Sequence, residues 1–521
     1  INVIIFIVCN VIIDFLLYFI ILHYIQYYFR RINMKSTNKT MMQYFEWYLP
    51  NDCELWTNLI KKAPELSKKG ITSIWLPPAQ KSAGGINDTG YGVYDLYDLG
   101  EFNQKGTIRT KYGTKDEYIA CIKALQIAGI KVLADVVLNH RMGADETQDI
   151  IAYKVNPNNR NEVIGDYRTI TAWTKYNFAG RKDTYSDFKL DWSHFTATDY
   201  DDKSKENGIF RFYGKKFSNE VDKELGNYDY LMGCDVDFNN LDVVRDLNSW
   251  GKWFLDETHV DGFRLDAVKH IRSSFYKEFL RYLNQEFNTN LYTVGEYFSA
   301  NVYSLMSYLD YNTEVTSLFD VPLHVHFKEA SEYGGNYDMS KIFEETLVDR
   351  RPSKAVTFVD NHDTEPGQSL ESWIQPWFKP LAYAMIMFRK VGVPCIFYGD
   401  YYGIPFKNIP PMKDILDVFL LARKYLAYGD EIDYFDDPNI IGWTRLGDYY
   451  HQDSGMAVVL SDGAGGGKQM NVGKNLANTI LYDCTGNIKE TTYVDNDGNG
   501  IFYTNGGSVS VWIKKDNMYN L

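Results

Sequence analysis

The 521-residue chain lacks paired cysteines and has no excess of basic side chains. Its six cysteines are scattered and none stands in a Cys-x-x-Cys pair, so we interpret them as reduced thiols and not as a disulfide framework. Acidic residues outnumber Lys and Arg by 68 to 54, and the formal net charge is −14. This charge disfavours a nucleic acid partner, because such partners are bound mainly through Lys and Arg.

Aromatic side chains, by contrast, are abundant and make up 16 % of the chain, with 41 Tyr and 11 Trp. Most of them belong to the core. Flat rings at a surface can stack on sugar faces while a hydroxyl or an indole N–H stays at the rim. The composition therefore suits a neutral ligand better than a polyanion.

Three acidic residues lie in short hydrophobic runs that have the composition of buried strands. They are Asp266 in residues 262–270, Glu296 in 292–298 and Asp363 in 356–363. An ionised carboxylate in such a place is costly unless it is paired or faces a solvated cleft. Asp266 by itself could be a structural ion pair with Arg264. Because all three occur beside polar residues at a strand's carboxyl end, we interpret them together as the acid groups of a barrel enzyme.

The spacing of these runs predicts an α/β fold, the (β/α)8 or TIM barrel. About one βα unit separates Asp266 from Glu296, and about two separate Glu296 from Asp363. Amphipathic stretches such as 115–129 lie between the runs and indicate helices. The remaining strand-like runs are 41–47, 71–78, 131–140, 317–323 and 393–400, which brings the total to eight strands.

Two departures from the repeat predict further domains. The interval between the third and fourth strands is far longer than one crossover, which indicates an inserted β-rich domain after strand 3. After about residue 430, short alternating segments broken by Gly and Asn indicate an all-β C-terminal domain. The predicted boundaries are 1–33 for an apolar segment outside the native fold, 34–139 and 242–431 for the barrel, 140–241 for the inserted domain and 432–521 for a C-terminal β-sandwich.

From about residue 41 to its end, the chain resembles the α-amylase clan of retaining glycoside hydrolases, in particular the bacterial liquefying α-amylases. The resemblance rests on motifs such as DVVLNH (135–140), GFRLDAVKHI (262–271), VGEY (294–297) and FVDNHDTEPGQS (358–369). It implies endo-acting hydrolysis of α-1,4-glucosidic bonds in starch, glycogen or maltodextrins, with retention of configuration. The implied roles are nucleophile for Asp266, general acid and base for Glu296, and a third carboxylate that positions the sugar for Asp363.

Such chemistry needs two carboxyl groups whose environments differ. Arg264 would keep Asp266 ionised, whereas the apolar neighbours of Glu296 would hold its proton near neutral pH. In a retaining enzyme the two groups lie about 5–5.5 Å apart. By the same resemblance, the residues that grip or stack on the sugar are Tyr91, His140, Arg264, Lys269 and His362.

The resemblance also implies a calcium ion, held by Asn139, Asp229, Asp235 and the carbonyl of His270. Hard oxygen ligands of this kind suit Ca²⁺. The chain departs from the liquefying pattern at Thr196 and Ser218, where acidic ligands for a second, linked metal cluster are usual. Asp237 is retained without these partners. We therefore expect one tightly held Ca²⁺ and a linked cluster that is empty or weakly filled.

Other partners are also constrained by sequence. The chloride site of animal-type amylases needs a basic residue just after the strand that carries Asp363, and residues 364–368 contain none. We therefore expect no chloride dependence. The expected partner is an α-glucan polysaccharide, and the expected state is a monomer.

Residues 1–29 form an apolar run long enough to span a bilayer, but they include polar residues such as Asn10 and Asp14. An acidic residue near the centre of a span costs about 2.5–3.5 kcal/mol. The run is also a poor secretory signal, because no basic residue precedes it and no small-x-small cleavage site follows. We expect a native start at Met34 and a cytoplasmic protein. If residues 1–33 are genuine, a secreted or membrane-anchored protein is the alternative.

Two other functions are compatible with parts of this pattern. Some amylase-like barrels are catalytically inactive subunits of transporters, but these have lost the catalytic carboxylates that this chain retains. A transglycosylase of the same clan is the nearer alternative, because water and a sugar hydroxyl compete for the same intermediate. Chain-length analysis of the products from soluble starch distinguishes it from a hydrolase.

Overall fold

The structure of the protein, a computed structural model, describes residues 37–312 and 315–514. The predicted apolar segment 1–33 lies outside the described residues. Among the helices of the described ranges, none is long and apolar enough to cross a membrane.

Eight parallel strands form a closed barrel, so the predicted fold class is confirmed. Each strand pairs with its neighbours in chain order, and Met42 pairs with both Ile74 and Ile396, which closes the ring. The strands are almost wholly buried, as expected for a parallel sheet covered by helices. They are β1 (Met41–Gln43), β2 (Ser73–Leu76), β3 (Lys131–Val136), β4 (Gly262–Leu265), β5 (Tyr292–Gly295), β6 (Ser317–Phe319), β7 (Ala355–Phe358) and β8 (Val393–Phe397).

Helices surround the barrel, and most of them bury one face, whereas Lys379–Phe388 is buried on nearly all sides. The helix after β2 begins at a capping box, in which the Thr114 side chain accepts from the backbone of Glu117 and Glu117 accepts from Thr114. Its buried residues recur at helical spacing and face the strands. The helices are Leu55–Lys69, Lys115–Ile127, Leu241–Thr258, Ser273–Glu286, Val302–Asn312, Val321–Tyr333, Leu347–Arg350, Lys379–Phe388, Tyr398–Tyr402 and Lys413–Leu426.

A six-stranded antiparallel sheet is inserted between β3 and the helix Leu241–Thr258. His140 pairs with Asp235, so the first and last strands of the insertion lie side by side where the chain leaves the barrel. The insertion is therefore β-rich, as predicted, although its exact boundaries stay predictions. In sheet order its strands are His140–Arg141, Cys234–Val236, Phe195–Asp201, Glu206–Phe212, Glu146–Asn156 and Asn159–Lys175.

The C-terminal part is all-β, as predicted. A two-stranded antiparallel sheet, Gly465–Asn471 with Asn499–Asn505, packs on a six-stranded sheet, and the core between them includes Met470, Phe502 and Trp512. The strands of that sheet, in order, are Glu431–Tyr434, Ile440–Arg445, Met456–Ser461, Ser508–Lys514, Ile480–Asp483 and Thr491–Tyr493.

The cysteines of the described chain are free thiols, which agrees with the interpretation of the scattered spacing. Cys53, Cys121, Cys234 and Cys395 are buried, and Cys484 is half-buried. They therefore act as small apolar side chains in the packing.

Candidate active site

The backbone places Asp266 and Glu296 side by side. β4 and β5 are parallel neighbours whose last residues, Leu265 and Gly295, pair with each other. Each carboxylate residue follows its strand directly, and the Glu296 N–H donates to the carbonyl of Leu265 across 2.9 Å. Because the two strands are parallel and adjacent, both acids lie at the same end of the barrel, where the strands have their carboxyl ends.

The turn after Asp266 donates a backbone hydrogen bond to the Glu296 side chain. Ala267 has a φ of 51°, in the left-handed region that is uncommon for residues other than Gly. In this conformation its backbone N–H donates to Glu296 Oε2 across 2.9 Å. The turn therefore ties the position of one acid to the strand of the other.

Arg264 is fully buried beneath these carboxylates. Its Nη1 donates to Asp266 Oδ1 across 2.5 Å and to Asp135 Oδ1 across 3.0 Å, and its Nη2 lies 3.8 Å from Glu296 Oε2. Although burial opposes its charge, the carboxylates of Asp135 and Asp266 hold the pKa of Arg264 well above its usual value. The site therefore contains a permanent buried cation that pairs with Asp266 and Asp135.

Glu296 and Asp363 both favour the protonated state. Burial raises the pKa of the Glu296 carboxyl to about 8, with Arg264 opposing and the charges of Asp266 and Asp363 adding to the rise. Burial likewise raises the pKa of Asp363 to about 7, against Arg264 and with Asp266 and Asp135. At neutral pH the site thus holds a proton on Glu296, beside an Arg-paired Asp266.

An aromatic wall borders the carboxylates. The rings of Tyr91 and His362 are stacked with centroids 5.0 Å apart, and Trp47 stacks on Tyr91 at 6.0 Å. The Tyr91 hydroxyl donates to Asp135 Oδ2 across 2.8 Å, which fixes the ring. Parallel rings beside carboxylates form a surface on which a sugar ring can stack.

The two predicted histidines are neutral in this environment. Burial and the charge of Arg264 lower the pKa of His362 far below its usual value, and burial lowers that of His140. Gln43 Nε2 donates to His362 Nδ1 across 3.1 Å, so the proton is on Nε2, which lies 3.3 Å from Asp363 Oδ2. His140 instead donates from Nε2 to the Tyr91 carbonyl across 2.8 Å and supports the aromatic wall from behind.

Of the predicted sugar-binding residues, Tyr91, Arg264 and His362 therefore surround the carboxylates, and His140 lies behind them. Lys269 is placed further out. Its Nζ donates to Glu224 of the inserted domain and to the carbonyl of Phe298, both across 2.9 Å.

Trp47 and Asp135 are parts of the site that the sequence reasoning missed. Asp135 is a fourth buried carboxylate, bound by Arg264, by the Tyr91 hydroxyl and by Trp75 Nε1 at 2.9 Å. The signal was present, because Asp135 stands inside the hydrophobic run 131–140 as the other three acids stand in theirs. No comparable feature of the sequence distinguished Trp47 from the many other aromatic residues.

The residues predicted to bind calcium form a buried set of oxygen atoms at the start and end of the insertion. Asn139 Nδ2 lies 3.5 Å from His140 Nδ1, while Asn139 Oδ1 is buried and has no hydrogen-bond partner within the described residues. Burial raises the pKa of Asp229 to about 7, and burial together with the charge of Asp229 raises that of Asp235. An orphaned amide oxygen beside two mutually repelling carboxylates fits a hard divalent cation.

His270 adjoins the same place, since its Nδ1 bonds to the Tyr228 carbonyl across 2.7 Å, next to Asp229. Within the described part of the chain no group of three or more His, Cys, Asp and Glu side chains is arranged for a metal. The predicted calcium site does not need three such side chains. Its oxygen ligands come from two carboxylates, one side-chain amide and one backbone carbonyl.

The positions expected to supply acids for a second cluster hold neutral residues, which contact the carboxylates of the first set. The Thr196 hydroxyl donates to Asp235 Oδ2, and the Ser218 N–H donates to Asp229 Oδ2 across 3.1 Å. Asp237, the remaining acid, is paired with Lys215 Nζ at 2.7 Å. A carboxylate whose charge is already neutralised by a lysine binds a further metal ion weakly.

A closed parallel barrel with paired carboxylates at its carboxyl edge defines a barrel enzyme of the glycoside-cleaving type. The chain matches the family model described as the α-amylase catalytic domain over residues 51–414, and the α-amylase C-terminal model over 456–513. The chain therefore belongs to the α-amylase family.

Individual relatives cover nearly the whole chain. An α-amylase of Geobacillus stearothermophilus is 52 % identical over 480 residues, which span 92 % of this chain and 87 % of that protein. The cytoplasmic α-amylase of Escherichia coli (strain K12) is 43 % identical over 490 residues, 91 % of this chain and 99 % of that one. A solved Anoxybacillus α-amylase aligns with a TM-score of 0.61 over 92 % of this chain and 98 % of its own, at 18 % identity, a likeness of fold alone.

Proposed function

We propose that this chain hydrolyses internal α-1,4-glucosidic bonds of starch, glycogen or maltodextrins with retention of anomeric configuration. One observation carries the proposal: a protonated Glu296 and an Arg-paired Asp266 stand at the ends of adjacent barrel strands. The names of the related α-amylases support the same bond and the same substrate class.

In the first step, an oxygen of Asp266 bonds to the anomeric carbon while the glycosidic C–O bond breaks. The Glu296 proton moves to the departing oxygen, so the leaving sugar is released as a neutral alcohol. Arg264 shares its charge between Asp266 and Asp135 and keeps the nucleophile oriented. In the second step, Glu296, now ionised, takes a proton from water, whose oxygen displaces Asp266 from the anomeric carbon. Two inversions give net retention.

The surrounding residues position the sugar. The stacked faces of Trp47 and Tyr91 would hold its apolar side, and the His362 Nε2–H and Asp363 would bond to ring hydroxyls. Asp363 can donate one of these hydrogen bonds, because burial raises its pKa to about 7. Such bonds strengthen as the ring approaches its flattened, positively charged transition state.

α-Amylases in general bind calcium. For this chain we propose that Asn139, Asp229, Asp235 and the His270 carbonyl hold one Ca²⁺, which would neutralise the two buried carboxylates and tie the insertion to the barrel. The orphaned Oδ1 of Asn139 supports this assignment. The catalytic groups act from other side chains, and the ion would contribute rigidity to the cleft.

We also propose a cytoplasmic, monomeric enzyme. The 43 % identical E. coli relative is named as cytoplasmic, which supports the location. Cell fractionation tests it, and recovery of the enzyme with membranes or in the medium would contradict it.

The function is tested by product analysis from soluble starch. We expect internal cleavage, with rapid loss of iodine colour relative to reducing ends, and NMR of freshly released sugar showing the α anomer first. Initial β anomer would exclude the retaining mechanism. In a parallel reaction that starts from a short maltodextrin, products longer than the starting chain would indicate the transglycosylase instead.

A further inference from the structure

Three tyrosines meet on one face of the inserted sheet, and we call them the tyrosine cluster. Tyr153 and Tyr167 lie on adjacent strands, and Tyr213 directly follows the strand on the other side of Tyr153. The three ring centroids are 5.9, 5.8 and 5.8 Å apart. Tyr167 is 58 % exposed and Tyr213 is 55 % exposed. Single exposed aromatics are ordinary at a surface, but three in contact form a patch that calls for an explanation.

The register of the strands shows which side of the sheet carries the cluster. Arg211 pairs with Tyr153, and the Tyr213 N–H donates to the Ile151 carbonyl across 2.8 Å. Because side chains alternate along a strand, these four residues lie on one side of the sheet. Phe212, which points to the other side, is fully buried in the core. The core is therefore packed from the opposite side, and the cluster lies on the solvent side.

Part of this solvent side is covered by the protein itself. Val155 and Ile209, which pair further along the same two strands, belong to one buried apolar group with Phe217 of the following loop. The boundary of the covered part is Arg211, whose guanidinium lies 5.6 Å from the Phe217 ring and 6.0 Å from the Tyr153 ring. Beyond this boundary the face is open, and the tyrosine cluster occupies the open part.

The chemistry of the open part indicates the class of ligand. Tyrosine rings stack on the apolar faces of sugars, while their hydroxyls can bond to sugar hydroxyls. Arg211 has no carboxylate partner within the described residues, so its guanidinium offers further donors at the edge of the cluster. The net charge of −14 disfavours a polyanion. A neutral polyhydroxylated chain fits these groups best.

We infer that the tyrosine cluster is a surface site for an α-glucan chain, separate from the catalytic cleft. Within the described chain its ring contacts are internal or with Arg211, and none reaches the aromatic wall of the cleft. The inference rests on the proposed function. A starch granule presents many chains, so holding one of them at the cluster raises the effective concentration of the others at the cleft. The site therefore matters for insoluble starch and not for short soluble substrates.

The test measures adsorption of the full-length protein to insoluble starch granules, in a Glu296→Gln background that does not consume them. In Tyr167→Ala/Tyr213→Ala we expect the partition constant to fall about tenfold, because two stacking contacts are lost. Tyr167→Phe/Tyr213→Phe keeps both rings and should adsorb nearly as well as the parent. Tyr449→Ala is the matched control and should adsorb normally, since Tyr449 is 84 % exposed in the C-terminal domain.

Unchanged adsorption of the alanine pair would overturn the inference, and so would adsorption of the parent to cellulose granules as strong as to starch. With Glu296 intact, kcat/KM on a short chromogenic maltotrioside should be unchanged in the alanine pair, and a tenfold loss there would also overturn the inference.

Sedimentation distinguishes a second copy of this chain as the occupant of the face. A parent dimer that becomes a monomer in the alanine pair would overturn the inference, whereas one monomeric state in both proteins is expected. Failure of the parent enzyme to cleave soluble starch would instead refute the proposed function, so the two failures are distinguishable.

Discussion

Arg264 Nη1 lies 2.5 Å from Asp266 Oδ1, two residues further along the same strand end. The same guanidinium lies 3.8 Å from Glu296 Oε2, yet burial still raises the pKa of Glu296 to about 8. One buried cation therefore stands between two acids that play opposite roles. The closer acid forms the ion pair, and the more distant one keeps its proton.

The first prediction concerns these two acids. Glu296→Gln and Asp266→Asn should each lower starch hydrolysis by about 10²–10⁴-fold or more, because each removes one half of a two-step displacement. The volume change is small, so both variants should fold. Glu296→Gln should keep the Tm near that of the parent, whereas Asp266→Asn also breaks an ion pair with the buried Arg264 and should lower the Tm. Kinetics on soluble starch with parallel thermal melts check both points. A folded variant with near-parental turnover would refute the assignment.

The second prediction concerns Asp135, which the sequence reasoning missed. Asp135→Asn removes one of the two carboxylates that bond to Arg264 and leaves Asp266 as the only carboxylate within hydrogen-bond distance of that guanidinium in the described chain. Breaking a buried ion pair typically costs about 3–5 kcal/mol, so we expect a lower free energy of unfolding together with a lower kcat. Urea unfolding and steady-state kinetics measure these changes. Asp166→Asn, at an exposed position of the insertion, is the control and should change neither.

The third prediction is the alkaline limit of activity. Glu296 must carry a proton to act as general acid, and burial raises its pKa to about 8. Activity should therefore be retained below that pH and fall as the pH rises through it. The pH dependence of kcat/KM on a short substrate measures this limb. A limb near pH 5 would show that another group supplies the proton.

The fourth prediction concerns a second buried acid pair, Glu46 and Glu365, beneath the aromatic wall. Burial and the charge of Glu46 raise the pKa of Glu365 from 4.5 to about 9, and burial raises that of Glu46 to about 7. Glu365 Oε1 accepts from the Trp47 N–H across 2.8 Å, while its Oε2 is buried without a partner in the described chain. A neutral carboxyl group is therefore held under the ring that borders the cleft.

For stability, the sign follows from proton linkage. Between pH 4.5 and about 9 the unfolded chain has lost the Glu365 proton and the folded chain keeps it, so stability falls as the pH rises through this window. The Glu365→Gln side chain is neutral at every pH and has nearly the same shape as the protonated Glu365. The variant should therefore not lose stability as the pH rises through this window. The Tm of the variant should exceed that of the parent by about 5 °C or more at pH 9 and by less at pH 5. Glu490→Gln, at an exposed site, should show no such pH-dependent gain.

The fifth prediction concerns the metal. Chelation should lower the Tm, because an ion that binds only the folded form stabilises it by mass action. Added Ca²⁺ should restore the Tm, and elemental analysis after gel filtration should find one calcium per chain. Two or more tightly held ions would show that Thr196 and Ser218 do not exclude the second cluster. No calcium and an unchanged Tm in chelator would remove the site at Asn139.

The barrel was predictable because its signals are local. Hydrophobic runs with polar residues at their ends mark Asp266, Glu296 and Asp363. Asp266 directly follows β4 and Glu296 directly follows β5, and because these strands are neighbours the two acids lie side by side. The predicted runs were longer than the strands. For example, β3 ends at Val136, residues 137–139 form the loop that carries Asn139, and His140 already begins the first strand of the insertion.

Other parts of the site were not predictable, because their partners are remote in the chain. Trp47 is recognisable as part of the cleft only when it stacks on Tyr91, and the contact of Lys269 with Glu224 of the inserted domain exists only in the folded chain. Periodicity along one segment carries no information about which segment packs opposite it.

The sequence by itself therefore determined the fold class, the strand ends that carry the acids, and the family of the enzyme. Only the tertiary structure decided how deeply Glu296 is buried, which raises its pKa to about 8, and that Asp135 shares Arg264 with Asp266. A pKa depends on burial and on charges within a few ångströms, and these come from distant residues: Asp135 reaches Arg264 across 129 positions of the chain. Burial by segments that are remote in the chain raises the pKa of Glu296, and the ion pair with Arg264 orients Asp266.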